Sequence, residues 1–353
     1  MEIMEINKFF GGKRIFITGH TGFKGSWLTF FLDQIGSITK GYSLKPKTHP
    51  SLYSSLSFSK NHESVISDIR DGVKLYKEIN SFQPDYIFHL AAQPLVIDSY
   101  SNPRDTFEIN FNGTLNLLEC IKDLHLNCSA IFVTTDKVYE NQENNLSFKE
   151  VDKLGGKDPY SASKSSSEIL INSYLSSFFY ETETKIASVR AGNVIGGGDW
   201  SENRLIPDLI RSIFENKKLV LRNPESTRPW QHVLESINGY IKLAIALSKG
   251  NSKFQGAWNF GPENGDTKTV KELIEISRNF GFEFDIKIEK NQLQKEAKYL
   301  SLNINKAKEN LNWKPKWNSK EALYQTLNWY KEYYNGANVN SLLINEIEKY
   351  NNS

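Results

Sequence analysis

The chain reads as an α/β protein, a doubly wound parallel sheet with a smaller C-terminal α/β lobe. Three observations carry this reading. Short apolar runs alternate with helical patterns from Lys13 to Arg190, a rhythm that calls for parallel strands joined by right-handed crossovers. A strand, a glycine turn and an apolar helix follow one another directly between Lys13 and Leu32. Beyond Arg190 the texture changes to a glycine-rich loop, Asn193 to Trp200, and later to an aromatic-rich helix at Trp329 to Tyr334.

The first element is the run Ile15 to Ile17, read as a buried strand. Gly19, Gly22 and Gly25 follow it, interleaved with His20, Thr21, Phe23 and Lys24, and Ser26 to Leu32 opens a helix. This is the context a dinucleotide-binding loop requires. Gly19 permits a tight turn, Gly22 lets a pyrophosphate reach the backbone, and Gly25 lets helix and strand pack closely. The helix N-terminus offers its unpaired N–H groups to the phosphates. The spacing is G-x-x-G-x-x-G, and His20 and Lys24 stand where smaller apolar side chains are common. They either crowd the pyrophosphate or, in the case of Lys24, add charge to it.

The second strand, Ser37 to Ser43, ends in Ser43, Leu44 and Lys45 rather than in an acid for the ribose hydroxyls. Lys45 can favour a 2′-phosphate, so these residues leave NADP open. Val65 to Asp71 reads as a third strand and its exit, with Asp68 either a helix cap or an acceptor for an adenine amine, and Ile69 beside it. A helix then runs from Asp71 to near Gln83. The fourth strand, Asp85 to Gln93, ends in Leu90, Ala91, Ala92 and Gln93, small enough for a cofactor to lie close to the backbone; His89 within it reads as a core residue. Asn110 to Leu124 is a long helix, Ala130 to Thr135 a fifth strand, Tyr160 to Phe179 a helix and Lys185 to Arg190 a sixth strand. Arg204 to Pro207 begins a helix, and Ser236 to Leu247 is a helix returning to the first lobe. These elements divide the chain into a dinucleotide-binding domain (11–190 plus about 230–260), a smaller α/β substrate lobe (191–229 plus 261–337) and a polar, partly mobile tail (338–353).

The chemistry-bearing residues cluster after the fifth strand. Tyr160 and Lys164 are four apart and share a helix face. An ammonium there favours tyrosinate, which makes Tyr160 a base for a sugar or alcohol hydroxyl at neutral pH. Thr135, Asp136 and Lys137 lie at the carboxyl edge of the sheet, where ligands bind in such folds. Thr135 can bond a hydroxyl or ketone, and Asp136, if buried, can act as a general acid. Lys137 can act as a base only when neutral. Arg204, Arg222 and Arg228 are candidate pyrophosphate clamps, and Asn193 can anchor a phosphate or sugar hydroxyl.

Composition bounds the remainder. The 353 residues carry a net charge of +2, with 39% hydrophobic and 24% charged residues. That suits a globular protein and favours neither nucleic acid nor an anionic membrane as partner. No apolar run is long enough for a membrane span, and the acidic start, Met1 to Glu5, is unlike a signal peptide. Cys120 and Cys128 have no metal-ligand spacing and read as reduced cytoplasmic thiols. No metal site is expected.

Taken together, Gly19-x-x-Gly22-x-x-Gly25, Asp68-Ile69-Arg70, Leu90-Ala91-Ala92-Gln93, Asn110 to Thr114, Thr135-Asp136-Lys137, Tyr160-x-x-x-Lys164 and Arg190 to Val194 resemble the extended short-chain dehydrogenases/reductases that act on nucleotide sugars. The resemblance covers nearly the whole chain, in order, and implies a Rossmann-type cofactor domain. The loop Gly19 to Leu28, Lys137 in a position where many dehydratases carry Glu, and the segments Arg228 to Val233 and Glu296 to Leu300 narrow it to the 4,6-dehydratases of CDP-glucose. Lys298 departs from that subgroup's expected histidine. The resemblance implies a redox-neutral dehydration: oxidation at C4, loss of water across C5 and C6, and hydride return to C6, with NAD retained, as a step in deoxysugar and surface-polysaccharide synthesis. Tyr160 is then the base at the C4 hydroxyl and Asp136 the acid at C6. Lys137 either removes the C5 proton or stabilises the enolate. Lys164 also bonds cofactor ribose, and Glu296 joins the substrate-binding set. The alternatives are another nucleotide-sugar 4,6-dehydratase, a 4-epimerase, or a non-catalytic NAD-binding sensor. The resemblance further implies a homodimer, or a tetramer, joined through the helices Asn110 to Leu124 and Tyr160 to Phe179.

Overall fold

A computed structural model describes residues 3–143, 146–215, 217–289 and 297–353. Its centre is a seven-stranded sheet in which every pairing is parallel. The strands are β1 (Arg14–Thr18), β2 (Ile38–Ser43), β3 (His62–Ile66), β4 (Tyr86–His89), β5 (Ser129–Val133), β6 (Lys185–Ala191) and a last one at Gly256–Phe260. Their spatial order is Gly256–Phe260, β6, β5, β4, β1, β2, β3. The chain therefore winds outward one way through β3, then crosses to β4 and winds the other way. The switch point lies between β1 and β4, and open parallel sheets bind ligands at that crevice.

The strands alternate their side chains between two cores. Ile15, Ile17, Ile131 and Val133 point to one face, and Phe16, Ala130 and Phe132 to the other. All are buried, as expected for parallel strands covered by helices on both sides. The sixth strand runs one residue longer than the sequence indicates, to Ala191, and the third sits earlier, at His62–Ile66. The helix Gly72–Phe82 starts where Asp71 caps it, accepting from Lys74 N–H at 3.0 Å.

Outside the central sheet, the described residues form helices and three short strand pairs: Val194–Ile195 with Gln231–His232, Thr227–Arg228 with Lys268–Thr269, and Leu219–Leu221 with Ile286–Ile288. This part is joined to the sheet. The Trp27 indole N–H donates to Gly197 O at 2.9 Å, and the helix Val233–Ser248 packs beside β5 and β6. Cys120 and Cys128 are buried free thiols, both pushed up to about 12 mainly by burial. Among the described residues no helix is long and apolar enough to cross a membrane.

The polar tail expected at 338–353 is instead a docked helix, Val339–Asn352. Val339, Leu342, Leu343, Ile347 and Tyr350 are buried along one face of it. Glu346 reaches His232 Nε2 at 2.7 Å, and the Tyr350 hydroxyl donates to Glu235 at 2.6 Å. The apolar stripe, not average polarity, determined the outcome.

Candidate functional site

The loop after β1 is shaped by close approaches that only glycine permits. Gly19 has φ +74, and a Cβ on it would lie 2.6 Å from Ala91 N. A Cβ on Gly25 would lie 2.1 Å from Gly19 O. The helix Phe23–Gln34 begins at Gly22 with no side-chain cap and no acid in its first turn. Its N-terminus is thus open to an anion. One cavity runs over this loop, lined by Gly19, Thr21, Gly22, Phe23, Lys24 and Gly25, then by Asp68, Ile69, Leu90, Ala91 and Ala92. Tyr160 and Lys164 close its inner end. These residues fit a dinucleotide cofactor: a glycine cradle, small residues after β4, and lysine and tyrosine at the far end.

Two expected cofactor residues do not line this cavity. His20 turns its buried ring away, onto Ser64 Oγ at 2.7 Å and edge-on to Tyr53. Gly41 makes room for it, since a Cβ there would lie 2.3 Å from the ring. Gln93 lies underneath, its amide bonded to Thr106 and Leu95 O. Asp68 lines the cavity, but its carboxylate is held by Arg70 at 2.7 and 3.0 Å, and this contact lowers its pKa. Lys24 points inward, 3.4 Å from the Tyr240 hydroxyl, at the seam with a second cavity. Burial, with Arg204 and Lys164 nearby, pushes its ammonium down to about 7.

The second cavity opens on the other side of Tyr160 and contains Thr135, Asp136 and Lys137, which lie at the end of β5 where a single 3₁₀ turn, Asp136–Val138, begins. Asp136 is only 2% exposed. Its Oδ1 accepts from the Thr135 hydroxyl at 3.1 Å, and its Oδ2 is buried without a hydrogen-bond partner. Burial raises its pKa against the opposing pull of Lys137 and Arg228. A buried carboxyl that binds its proton more tightly than it would in water and has one oxygen to spare is equipped as a general acid. Asn193, Arg204, Arg222 and Arg228 line the same cavity. Arg204 is braced by Asp199 at 3.0 Å, Arg222 by Asn203 at 2.8 Å, and Arg228 by Thr227 O at 2.9 Å. Glu296 lies outside the described residues.

The pairing of Tyr160 with Lys164 differs from expectation. Lys164 Nζ donates to Val133 O at 3.1 Å, and burial pushes its pKa down to about 8. The Tyr160 phenol is pushed up to about 12, chiefly by burial, with the Thr135 hydroxyl as its main counterweight. Burial dominates, so the phenol holds its proton more tightly than in water.

Two supports were not singled out for a role from the sequence. Asn110 sits in a π turn, Glu108–Asn112, and its side chain bonds Gln93 N, Gln93 O and Ser163 Oγ at 2.9, 3.1 and 2.9 Å. It ties the strand end after β4 to the helix Pro159–Tyr174. Glu168, one turn beyond Lys164, accepts from Thr134 Oγ1 at 2.5 Å, Ser188 Oγ at 2.7 Å and Arg190 at 2.9 and 3.0 Å. The π turn was the available signal for Asn110, since such bulges gather at functional sites, but it is visible only in the fold.

The buried histidines set a pH limit on stability. His20 and His89 are both pushed down from 6.5 to about 3, mainly by burial. His89 is a satisfied core residue, between Thr18 and Thr114 at 2.7 and 3.2 Å. Below pH 6.5 the unfolded chain binds protons that the folded chain refuses, so stability falls as pH drops. Each histidine costs the fold about 2 kcal/mol at pH 5. Urea unfolding at pH 7.5 and pH 5 should show this loss, and His89→Asn should flatten the slope by about one proton. An unchanged slope in that variant would contradict it.

Comparison with known proteins places this geometry. The family model described as GDP-mannose 4,6 dehydratase matches residues 16–326. The chain is 43% identical over 348 residues to a CDP-glucose 4,6-dehydratase of Salmonella typhimurium, covering 97% of each chain. It is 26% identical to a UDP-glucose 4-epimerase of Mycoplasma genitalium, over 78% of this chain and 84% of the epimerase. The structure resembles that of a dTDP-glucose 4,6-dehydratase from Bacillus anthracis in complex with NAD, with TM-score 0.77, 25% identity, and coverage of 92% of this chain and 98% of the other. With its glycine loop, its Tyr160–Lys164 helix and the turn at Asp136 all inside the matched span, the chain belongs to the GDP-mannose 4,6 dehydratase family.

Proposed function

We propose that the protein is an NAD-dependent CDP-glucose 4,6-dehydratase that acts in the cytoplasm as a homodimer. The observation that carries the activity is the buried, partnerless oxygen of Asp136 in the same cavity as Tyr160. A 4-epimerase needs no acid for dehydration, so this group favours elimination over epimerisation. The relative at 43% identity supplies the choice of CDP-glucose.

The glycine loop, Lys24 and Lys164 would hold the cofactor. When bound, the nicotinamide supplies the place that holds the hydride of C4 until it is returned to C6. The chain's own residues manage the protons. Tyr160 takes the proton of the C4 hydroxyl only as tyrosinate, the form that the Thr135 hydroxyl favours and burial opposes. The resulting ketone acidifies the C5 hydrogen. Lys137, beside Asp136, removes that proton when neutral or stabilises the enolate when charged. Asp136 delivers its proton to the departing C6 hydroxyl, which leaves as water. C5 regains a proton as C6 becomes a methyl group. Arg204, Arg222 and Arg228 would hold the pyrophosphate, and Asn193 a phosphate or sugar hydroxyl.

Ile169 and Phe178 remain 60% and 48% exposed on the helix and π turn spanning Pro159 to Phe179, which supports an assembly through that face. A monomer in sedimentation would contradict the homodimer. The activity is tested by incubating the protein and NAD with CDP-, UDP- and dTDP-glucose and GDP-mannose, reading the alkaline absorbance of the 4-keto-6-deoxy product. Turnover of CDP-glucose is expected. Product from another nucleotide alone would overturn the substrate, and a C4 epimer would overturn the reaction.

A further inference from the structure

We infer that Asp208 reads the nucleobase: its carboxylate accepts the exocyclic amino group of cytosine and disfavours the carbonyl that uracil or thymine presents at the same place. This rests on CDP-glucose as the substrate. Cytosine differs from uracil at that edge by an amino donor in place of a carbonyl acceptor. A carboxylate is the side chain that accepts from the first and opposes the second.

Among the described residues, three carboxylates line the cavity that holds Asp136 and Tyr160: Asp136, Asp199 and Asp208. Asp136 stands at the reacting end, in the turn after β5. Asp199 is committed to Arg204 at 3.0 Å and to Ser201 N–H at 3.0 Å, and it also borders the cofactor cavity. Asp208 lies in the first turn of the helix Leu205–Phe214, close to Asn203 and Arg222, and lines the cavity together with Val220. Val220 is 37% exposed and Leu205 half-buried, giving apolar surface on which a flat base can lie.

The carboxylate is also held in place. Arg211 donates to Asp208 Oδ1 and is itself anchored on Trp200 O and Ser201 O at 3.2 and 3.1 Å. The Asn203 N–H also hydrogen-bonds it. Held by Arg211 on one oxygen, it keeps acceptor capacity for a ligand. Burial raises its pKa despite Arg211 and Arg222, so a further donor would relieve a desolvated group.

The test compares equilibrium binding of CDP and UDP, and turnover of the two sugar nucleotides, in the wild type, Asp208→Asn and Arg211→Gln. Asp208→Asn, which can donate as well as accept, should shift the CDP-to-UDP preference toward unity by about 10- to 100-fold. Arg211→Gln removes the ion pair but keeps the carboxylate, and should retain the preference even if less stable. An unchanged ratio in Asp208→Asn, or an equal shift in Arg211→Gln, would overturn the assignment. A wild type that binds CDP preferentially yet turns over no CDP-glucose would sink the dehydratase reading while leaving Asp208 standing. A wild type that turns over CDP-glucose yet shows no preference for CDP over UDP would overturn the assignment of Asp208 and leave the dehydratase reading standing.

Discussion

Asp136→Asn is expected to lower formation of the 4-keto-6-deoxy product by about 10²- to 10⁴-fold, the usual contribution of a positioned general acid, and at the same time to raise the melting temperature. Both follow from one fact. Asp136 is buried with one oxygen lacking a partner, and its pKa is raised by that burial. An acid whose folded pKa is raised loses stability as pH climbs through the interval between its unfolded and folded values. Asparagine keeps the shape and can still accept from Thr135, but it carries no ionisable proton. The stabilisation should therefore be larger at pH 8 than below the ordinary carboxylate pKa. A variant that is less active and also less stable at pH 8 would mean that the carboxyl is a structural anchor rather than a proton donor.

Glu168→Gln is the second large effect, this time on stability: a loss of about 3–5 kcal/mol. Glu168 and Arg190 are 3% and 4% exposed at their side chains and meet at 2.9 Å. Glutamine leaves the guanidinium buried without its counter-charge. Besides the one amide oxygen that glutamine keeps, Arg190 then has the Tyr139 hydroxyl at 2.8 Å and Glu150 O at 3.1 Å as acceptors, all of them neutral. Replacing both partners, as in Glu168→Gln with Arg190→Met, should recover part of the loss, because no buried charge is then orphaned. The single variant should also affect the site. Glu168 raises the pKa of Lys164, which burial holds at about 8, so without that carboxylate Lys164 should lose its proton at lower pH. The alkaline limb of the activity profile should then move down. If urea unfolding shows a loss below 1 kcal/mol, roughly the value of an exposed pair, the pair is not the brace described here.

What could be read from the sequence divides along the range of the forces involved. The strands and the phosphate loop were legible because short apolar runs and glycine spacing are local, and Ile15 to Gly25 carries both within a few residues. The line-up of Thr135, Asp136, Tyr160 and Lys164 was legible because two neighbouring elements supply it. Readings that depended on distant partners failed. His20 lies in the phosphate loop, yet its ring goes where Gly41 leaves room, and a loop motif cannot announce that. The phenol of Tyr160 was expected to be acidified by a lysine four residues on, but burial by the surrounding fold dominates. The segment 338–353 was read by its average polarity, although Val339, Leu342, Leu343, Ile347 and Tyr350 already trace a helical stripe. Its partners His232 and Glu235 lie more than a hundred residues away.

The account rests on one intramolecular transfer, so the most direct measurement follows an isotope. CDP-glucose carrying deuterium at C4 would be turned over with NAD, and the product examined by proton and deuterium NMR. The account predicts that the label arrives at the C6 methyl group, while C5 acquires its hydrogen from solvent. A label returned to C4 of an epimerised sugar, with no methyl group formed, would contradict it.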